Sequence, residues 1–96
     1  MASDQTKSSR EKSIPSNVLS RGVADEEVLL DLSSQIYYGL NPVGSLVWRL
    51  LKKGLPPAQI IAAVVSEFEV APQQARRDVD AFIERLESKG LLRAAR

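Results

Sequence analysis

The sequence predicts an α+β domain in which a three-stranded antiparallel sheet precedes three helices. Three observations carry that expectation. Apolar residues recur with a period of two as far as Leu40 and with a helical period beyond it. Asn41-Pro42, Pro56-Pro57 and Ala71-Pro72 punctuate the second half as helix starts. The chain has 96 residues, 44% of them hydrophobic, which is enough for one core and too short for a second large domain.

The elements follow in order. Residues 1–17 hold five serines, three basic and two acidic residues and little that is apolar, so a flexible tail is expected there and a folded domain over 18–96. Val18–Ala24 reads as a first strand, and Asp25-Glu26-Glu27 as a solvated turn. Val28, Leu30 and Leu32 alternate, and so do Ile36, Tyr38 and Leu40, which gives the second and third strands. A three-residue loop, Ser33-Ser34-Gln35, pairs Leu32 with Ile36, Leu30 with Tyr38 and Val28 with Leu40, and puts all six on one face. Leu29, Asp31, Tyr37 and Gly39 then occupy the other face. A two-residue loop would set Leu30 opposite Tyr37 and scatter the apolar set.

Asn41 is placed to cap a first helix with Pro42 at its first position. Val43, Leu46, Val47, Leu50 and Leu51 form its apolar stripe, with Trp48 just off it and Gly54 at its end. Ile60, Ile61, Val64, Val65 and Phe68 give the stripe of a second helix. Ala75, Val79, Phe82, Ile83 and Leu86 give that of a third, which Lys89-Gly90 closes, and Leu91-Leu92 folds back onto the core. None of these helices is long enough to stand alone, so packing must supply their stability.

Composition narrows the function. The chain has no cysteine and no histidine, which removes disulfides, thiolate nucleophiles, the usual triads and the commonest metal ligands. No glycine-rich phosphate loop and no metal-ligand spacing are visible, so neither a metal, a cofactor nor a catalytic residue is expected, and the chain reads as a non-enzyme. Thirteen basic against 12 acidic residues leave a net charge of +1, without the basic stripe of a nucleic-acid binder. No apolar run has the length of a membrane span and no secretory h-region opens the chain, so no membrane partner and a cytoplasmic location are expected.

Two segments remain as candidate binding surfaces. Gln35, Ile36, Tyr37, Tyr38, Gly39 and Leu40 form the last strand before the helices. At a sheet edge, its free N–H and C=O groups could accept another strand. On the third helix, Arg76, Val79, Asp80, Ile83 and Glu87 form one shoulder able to wall a groove beside that strand. The opposite flank, with Asp78, Phe82 and Arg85, is the alternative wall, and periodicity does not choose between them. The bland readings are ordinary strand chemistry and a salt-bridged wet face.

The run Leu29-Leu30-Asp31-Leu32, then Tyr37-Tyr38-Gly39-Leu40-Asn41, then Gly44 and Trp48, resembles the PqqD family. So does the pattern Asp78-Val79, Phe82, Leu86 and Gly90-Leu91-Leu92. Each piece is a weak signal, while their order and spacing from Val18 to Leu92 are specific together. The resemblance implies a winged-helix-like recognition element for ribosomally made, post-translationally modified peptides. It implies that the leader segment of a precursor peptide adds as a strand to Gln35–Leu40, in a groove against Pro72–Lys89. The match is nearest to the discrete proteins of lasso-peptide clusters, whose partners would be a separate leader peptidase and then a cyclase. The branch that makes pyrroloquinoline quinone with a radical SAM enzyme is the rival. A winged-helix DNA binder is the competing class, and the balance of Arg76, Arg77, Arg85 and Lys89 against Asp78, Asp80, Glu84 and Glu87 argues against it.

Overall fold

A computed structural model describes residues 12–94. Strands β1 (Lys12–Ser13), β2 (Val18–Val23), β3 (Glu26–Asp31) and β4 (Ile36–Gly39) come first. Helices α1 (Pro42–Lys52), α2 (Pro57–Phe68) and α3 (Pro72–Ser88) follow, and β5 (Arg93–Ala94) ends the described chain. The sheet is antiparallel in the order β2-β3-β4, as expected. All three of its strands precede all three helices, so the winged-helix likeness is a loose one.

The tail expected over 1–17 falls partly outside the described residues. Its last six residues are built into the fold. β1 pairs antiparallel with β5, and Lys12 Nζ donates to Glu87 Oε2 at 2.7 Å. Ile14 packs on the core, and the Asn17 amide donates to Asp31 at 3.0 Å. The ordering of this stretch thus rests on partners far along the sequence, which its own composition does not reveal.

The expected register of the second hairpin is off by one. Leu29 faces Tyr38, Leu30 faces Tyr37 and Asp31 faces Ile36, so Leu32-Ser33-Ser34-Gln35 form the loop and Gln35 is not in the strand. The reason is polar. The Asp31 carboxylate accepts from the Ser33 N–H at 2.9 Å and from Asn17, and Gln35 takes a left-handed φ of 62°. Those bonds close the loop after Asp31, and apolar alternation yields to them. A one-residue shift turns every side chain to the other face. On β3, Leu29 is therefore fully buried and Leu32 about half exposed; β4 keeps its expected faces, with Tyr37 outside at 69% exposed and Ile36 about half exposed at the strand's start.

Glu27 and Asp31 flank Leu29 on the buried face, and both are satisfied there. Glu27 Oε2 accepts from Arg49 Nε at 3.0 Å, and its backbone N–H donates to Ser45 Oγ at 2.8 Å. The expected Asp25-Glu26-Glu27 turn is consequently Ala24-Asp25 alone, with Glu26 and Glu27 inside β3.

Asn41 caps α1 as expected, its side chain accepting from the Gly44 N–H at 2.7 Å. The buried side of α1 is broader than the expected stripe and turned from it. Gly44, Ser45, Val47, Trp48 and Leu51 are buried, while Val43, Leu46 and Leu50 are half-buried. The cause is that α1 packs on β3 as well as on α2 and α3. Trp48, expected at the core edge, is fully buried and is the largest core side chain, beside Leu29, Ile60, Val64 and Val79. Leu91 and Leu92 fold back and are buried; the reversal after α3 passes through Gly90 at φ 74°, a conformation that suits glycine.

Two measurements test this frame. Ser45 is fully buried and joins Glu27 to the Leu40 carbonyl, so Ser45→Ala should cost about 1–3 kcal/mol in a urea melt by stranding a buried N–H. Burial works to raise the Asp31 carboxyl, but the bonds from Ser33, Ser34 and Asn17 outweigh it and hold its pKa below the ordinary value. Stability from a lowered carboxyl is complete above its unfolded pKa, about 3.9, and is lost as pH falls through the folded value. Thermal melts of the wild type and Asp31→Asn should therefore differ at neutral pH and converge on acidification below about pH 4.

Candidate functional site

Among the described residues β4 lies at the sheet edge, with β3 on one side only. The Leu40 N–H donates to the Glu27 carbonyl at 2.9 Å, which makes Glu27 and Leu40 a hydrogen-bonded pair. Such pairs alternate with non-bonded ones in an antiparallel ladder, so Ile36, Tyr38 and Leu40 turn their backbone groups toward β3. Tyr37 and Gly39 turn theirs to the free edge. A Cβ built on Gly39 meets nothing within 4 Å, so this chain's own packing does not require glycine there. The open space admits another backbone.

The side chains of the edge divide between two faces. Tyr37 stands on the outer face of the sheet with Leu19, Val23, Val28 and Leu30, where the four line a depression with it. Tyr38 faces the helices and is half-buried, and Lys89 Nζ stands 5.7 Å from the centre of its ring.

Between β4 and α3 runs a groove of about 490 Å³. Tyr38, Gly39 and Leu40 form one wall with Val43 of α1; Phe82, Arg85 and Lys89 form the other, with Asp78 at its end. Val47, Leu86 and Leu91 lie beneath. The groove wall on α3 is thus the flank with Asp78, Phe82 and Arg85. Of the other flank, Val79 and Ile83 are buried in the core, Arg76 and Asp80 are exposed away from the groove, and Glu87 is held by Lys12. With Val79 at the centre of the inward stripe, Phe82 and Ile83 fall to opposite sides of it. Which side meets β4 depends on the path through α1 and α2, and periodicity within α3 holds no record of that path. Gln35 is an exposed loop residue beside the strand, and Ile36 is half exposed at its start.

Gly44 is a residue whose role was not read from the sequence. A Cβ there would come within 3.3 Å of the Phe82 ring and 3.2 Å of the Asn41 cap oxygen. Glycine thus lets Phe82 lie against the first turn of α1 and form the groove wall. A glycine in an otherwise apolar helical turn was the available signal.

Among the described residues no cluster of three or more His, Cys, Asp or Glu side chains could hold a metal ion, and no helix is long and apolar enough to cross a membrane. The site offers backbone bonds, an apolar trough and three charges.

Residues 26–92 match the family described as Coenzyme PQQ synthesis protein D, PqqD. The chain belongs to the PqqD family. Two solved structures share the fold of this PqqD-family chain. "TbiB1 in Complex with the TbiA(beta) Leader Peptide" is 39% identical, with a TM-score of 0.79 over 83% of this chain and 93% of that one. "Lasso peptide synthetase B1 complexed with the leader peptide" is 29% identical, with a TM-score of 0.79 over 85% of this chain and 96% of that one. No curated protein matches the chain.

The contact between Gly44 and Phe82 is testable by a double-mutant cycle. Gly44→Ala gains about 1 kcal/mol of helix propensity but crowds the ring. It should therefore be more favourable in a Phe82→Ala background than in the wild type, with a coupling of at least about 0.5 kcal/mol in urea melts. Additive effects would show that the ring does not need the glycine.

Proposed function

We propose that this PqqD-family chain binds the leader segment of a ribosomally made precursor peptide, of the lasso-peptide type, as an added strand on β4. It then delivers the leader to a separate leader peptidase and onward to a cyclase. The observation that carries this reading is the free edge of Tyr37 and Gly39, which opens directly onto the groove walled by α3. The two solved structures described above hold leader peptides, and one is lasso peptide synthetase B1, which supports the lasso branch over the quinone branch.

The physics of strand addition fits this edge. Main-chain bonds to Tyr37 and Gly39 fix the register of the incoming strand, and its alternate side chains then point into the groove. The others lie beside Tyr37 on the outer face. The chain supplies binding and orientation, and chemistry on the peptide belongs to its partners.

Calorimetry with the leader peptide of its cognate lasso-peptide precursor should give micromolar to sub-micromolar affinity, about −8 to −10 kcal/mol. Gly39→Pro removes an N–H that bonds nothing within the sheet, so the fold should persist by circular dichroism while binding is abolished. Unchanged affinity in the folded variant would refute strand addition. Incubated alone with the precursor, the protein should leave the peptide's mass unchanged.

A further inference from the structure

Over Pro72–Lys89 the chain carries as many acidic as basic side chains, and the fold sorts them. The groove receives Asp78, Arg85 and Lys89, while Glu87 is taken up by Lys12 on the other flank. Among the described residues neither Arg85 nor Lys89 has an acidic partner within ion-pair distance. Both therefore offer uncommitted charge to whatever lies in the groove.

Their position along the groove is fixed by two contacts. Lys89 stands over Tyr38, and Phe82 lies against Gly44. The segment from β4 into α1 therefore runs opposite to α3, with the cations beside β4 and Asp78 out beyond Phe82, toward α1. A helix rises 1.5 Å per residue, so Lys89 lies about 10 Å from Phe82 along the axis, Arg85 about 5 Å, and Asp78 about 6 Å the other way. Residues on one face of a strand repeat about every 6.7 Å. A strand that seats an apolar side chain between Leu40, Val43 and Phe82 therefore brings the side chain two or four positions along toward Arg85 and Lys89.

We infer that the groove selects peptide strands in which Asp or Glu stands two or four residues from the apolar side chain seated on Phe82, and rejects Lys or Arg at that place. This rests on the peptide-binding reading above and adds to it the chemical class of peptide. The negative end of the α3 dipole lies near Lys89, but it is equivalent to only about half a charge, against two full ones. Both cations are exposed, so the preference is salt-dependent.

The test uses a displayed library of random peptides of about 16 residues, selected on the full chain. Enriched peptides that lose binding to Gly39→Pro should carry Asp or Glu several-fold above background, two or four positions from a recurrent apolar residue. Selection on the Arg85→Glu, Lys89→Glu double variant, its fold checked by circular dichroism, should replace that acid by Lys or Arg. Raising the salt should weaken the acidic peptides on the wild type. Gly39-dependent peptides with no acidic preference would overturn this inference and leave the binding reading standing. So would an acidic preference that persists in the double variant. If no enriched peptide depends on Gly39, the binding reading falls and the inference with it.

Discussion

The satisfied carboxylates of β3 set the geometry on which the rest depends. Glu27 and Asp31 lie on the buried face of the sheet on either side of Leu29, where unpaired charge would be costly. Arg49 holds the first, and Asn17 with the Ser33 N–H holds the second. With both ends fixed, β3 cannot slip by one residue. Its register against β4 then decides that Tyr38 faces the groove and that Tyr37 and Gly39 open to the edge. A slip would send Tyr37 into the groove, Tyr38 to the outer face and the free backbone groups to different residues.

Ser45 and Arg49 carry that constraint into the helices. They lie one turn apart on α1 and bond the backbone N–H and the side chain of the same Glu27. α1 is thereby locked against β3, and its first turn, with Gly44, is placed where Phe82 of α3 can lie on it. The groove is in this sense a consequence of packing. One wall is a strand held in register by buried polar bonds, and the other is a helix whose approach is set by a glycine. Neither wall needs a partner peptide to take shape, which limits the ordering cost when one arrives.

Much of this was legible in the sequence, and the misses share a cause. Element order, the Asn41 cap, the helix starts at proline and the return of Leu91-Leu92 all follow from local chemistry, and local chemistry is what a sequence displays. The register of β3 and β4 was lost because the buried face of β3 has a single apolar residue, Leu29, between two carboxylates, so alternation pointed to the more apolar row of Val28, Leu30 and Leu32 as the core set. The polar partners of Glu27 and Asp31 that break the tie lie at Asn17, Ser45 and Arg49. The flank of α3 was lost for the same reason, since Phe82 and Ile83 differ in nothing that their own helix can show. The residence of Lys12–Asn17 in the fold depends on Glu87, Asp31 and β5, again distant in sequence.

Among the described residues the sheet has a second edge, along β2, and the contrast between the two edges favours β4 for the recognition proposed above. Backbone bonds alone do not distinguish one extended peptide from another, because every residue but proline brings the same donor and acceptor. An edge discriminates only where alternate side chains of the added strand meet shaped and charged surroundings. At β4 those surroundings are Leu40 and Phe82 for size, and Arg85, Lys89 and Asp78 for charge, all within reach of one face of the strand. The opposite face of that strand would adjoin the outer apolar row of exposed Tyr37 and half-buried Leu30 and Val28, where contact is broad and unselective. On the proposed reading, selectivity resides on the helix side of the added strand, and the backbone of Tyr37 and Gly39 fixes which of its residues are read.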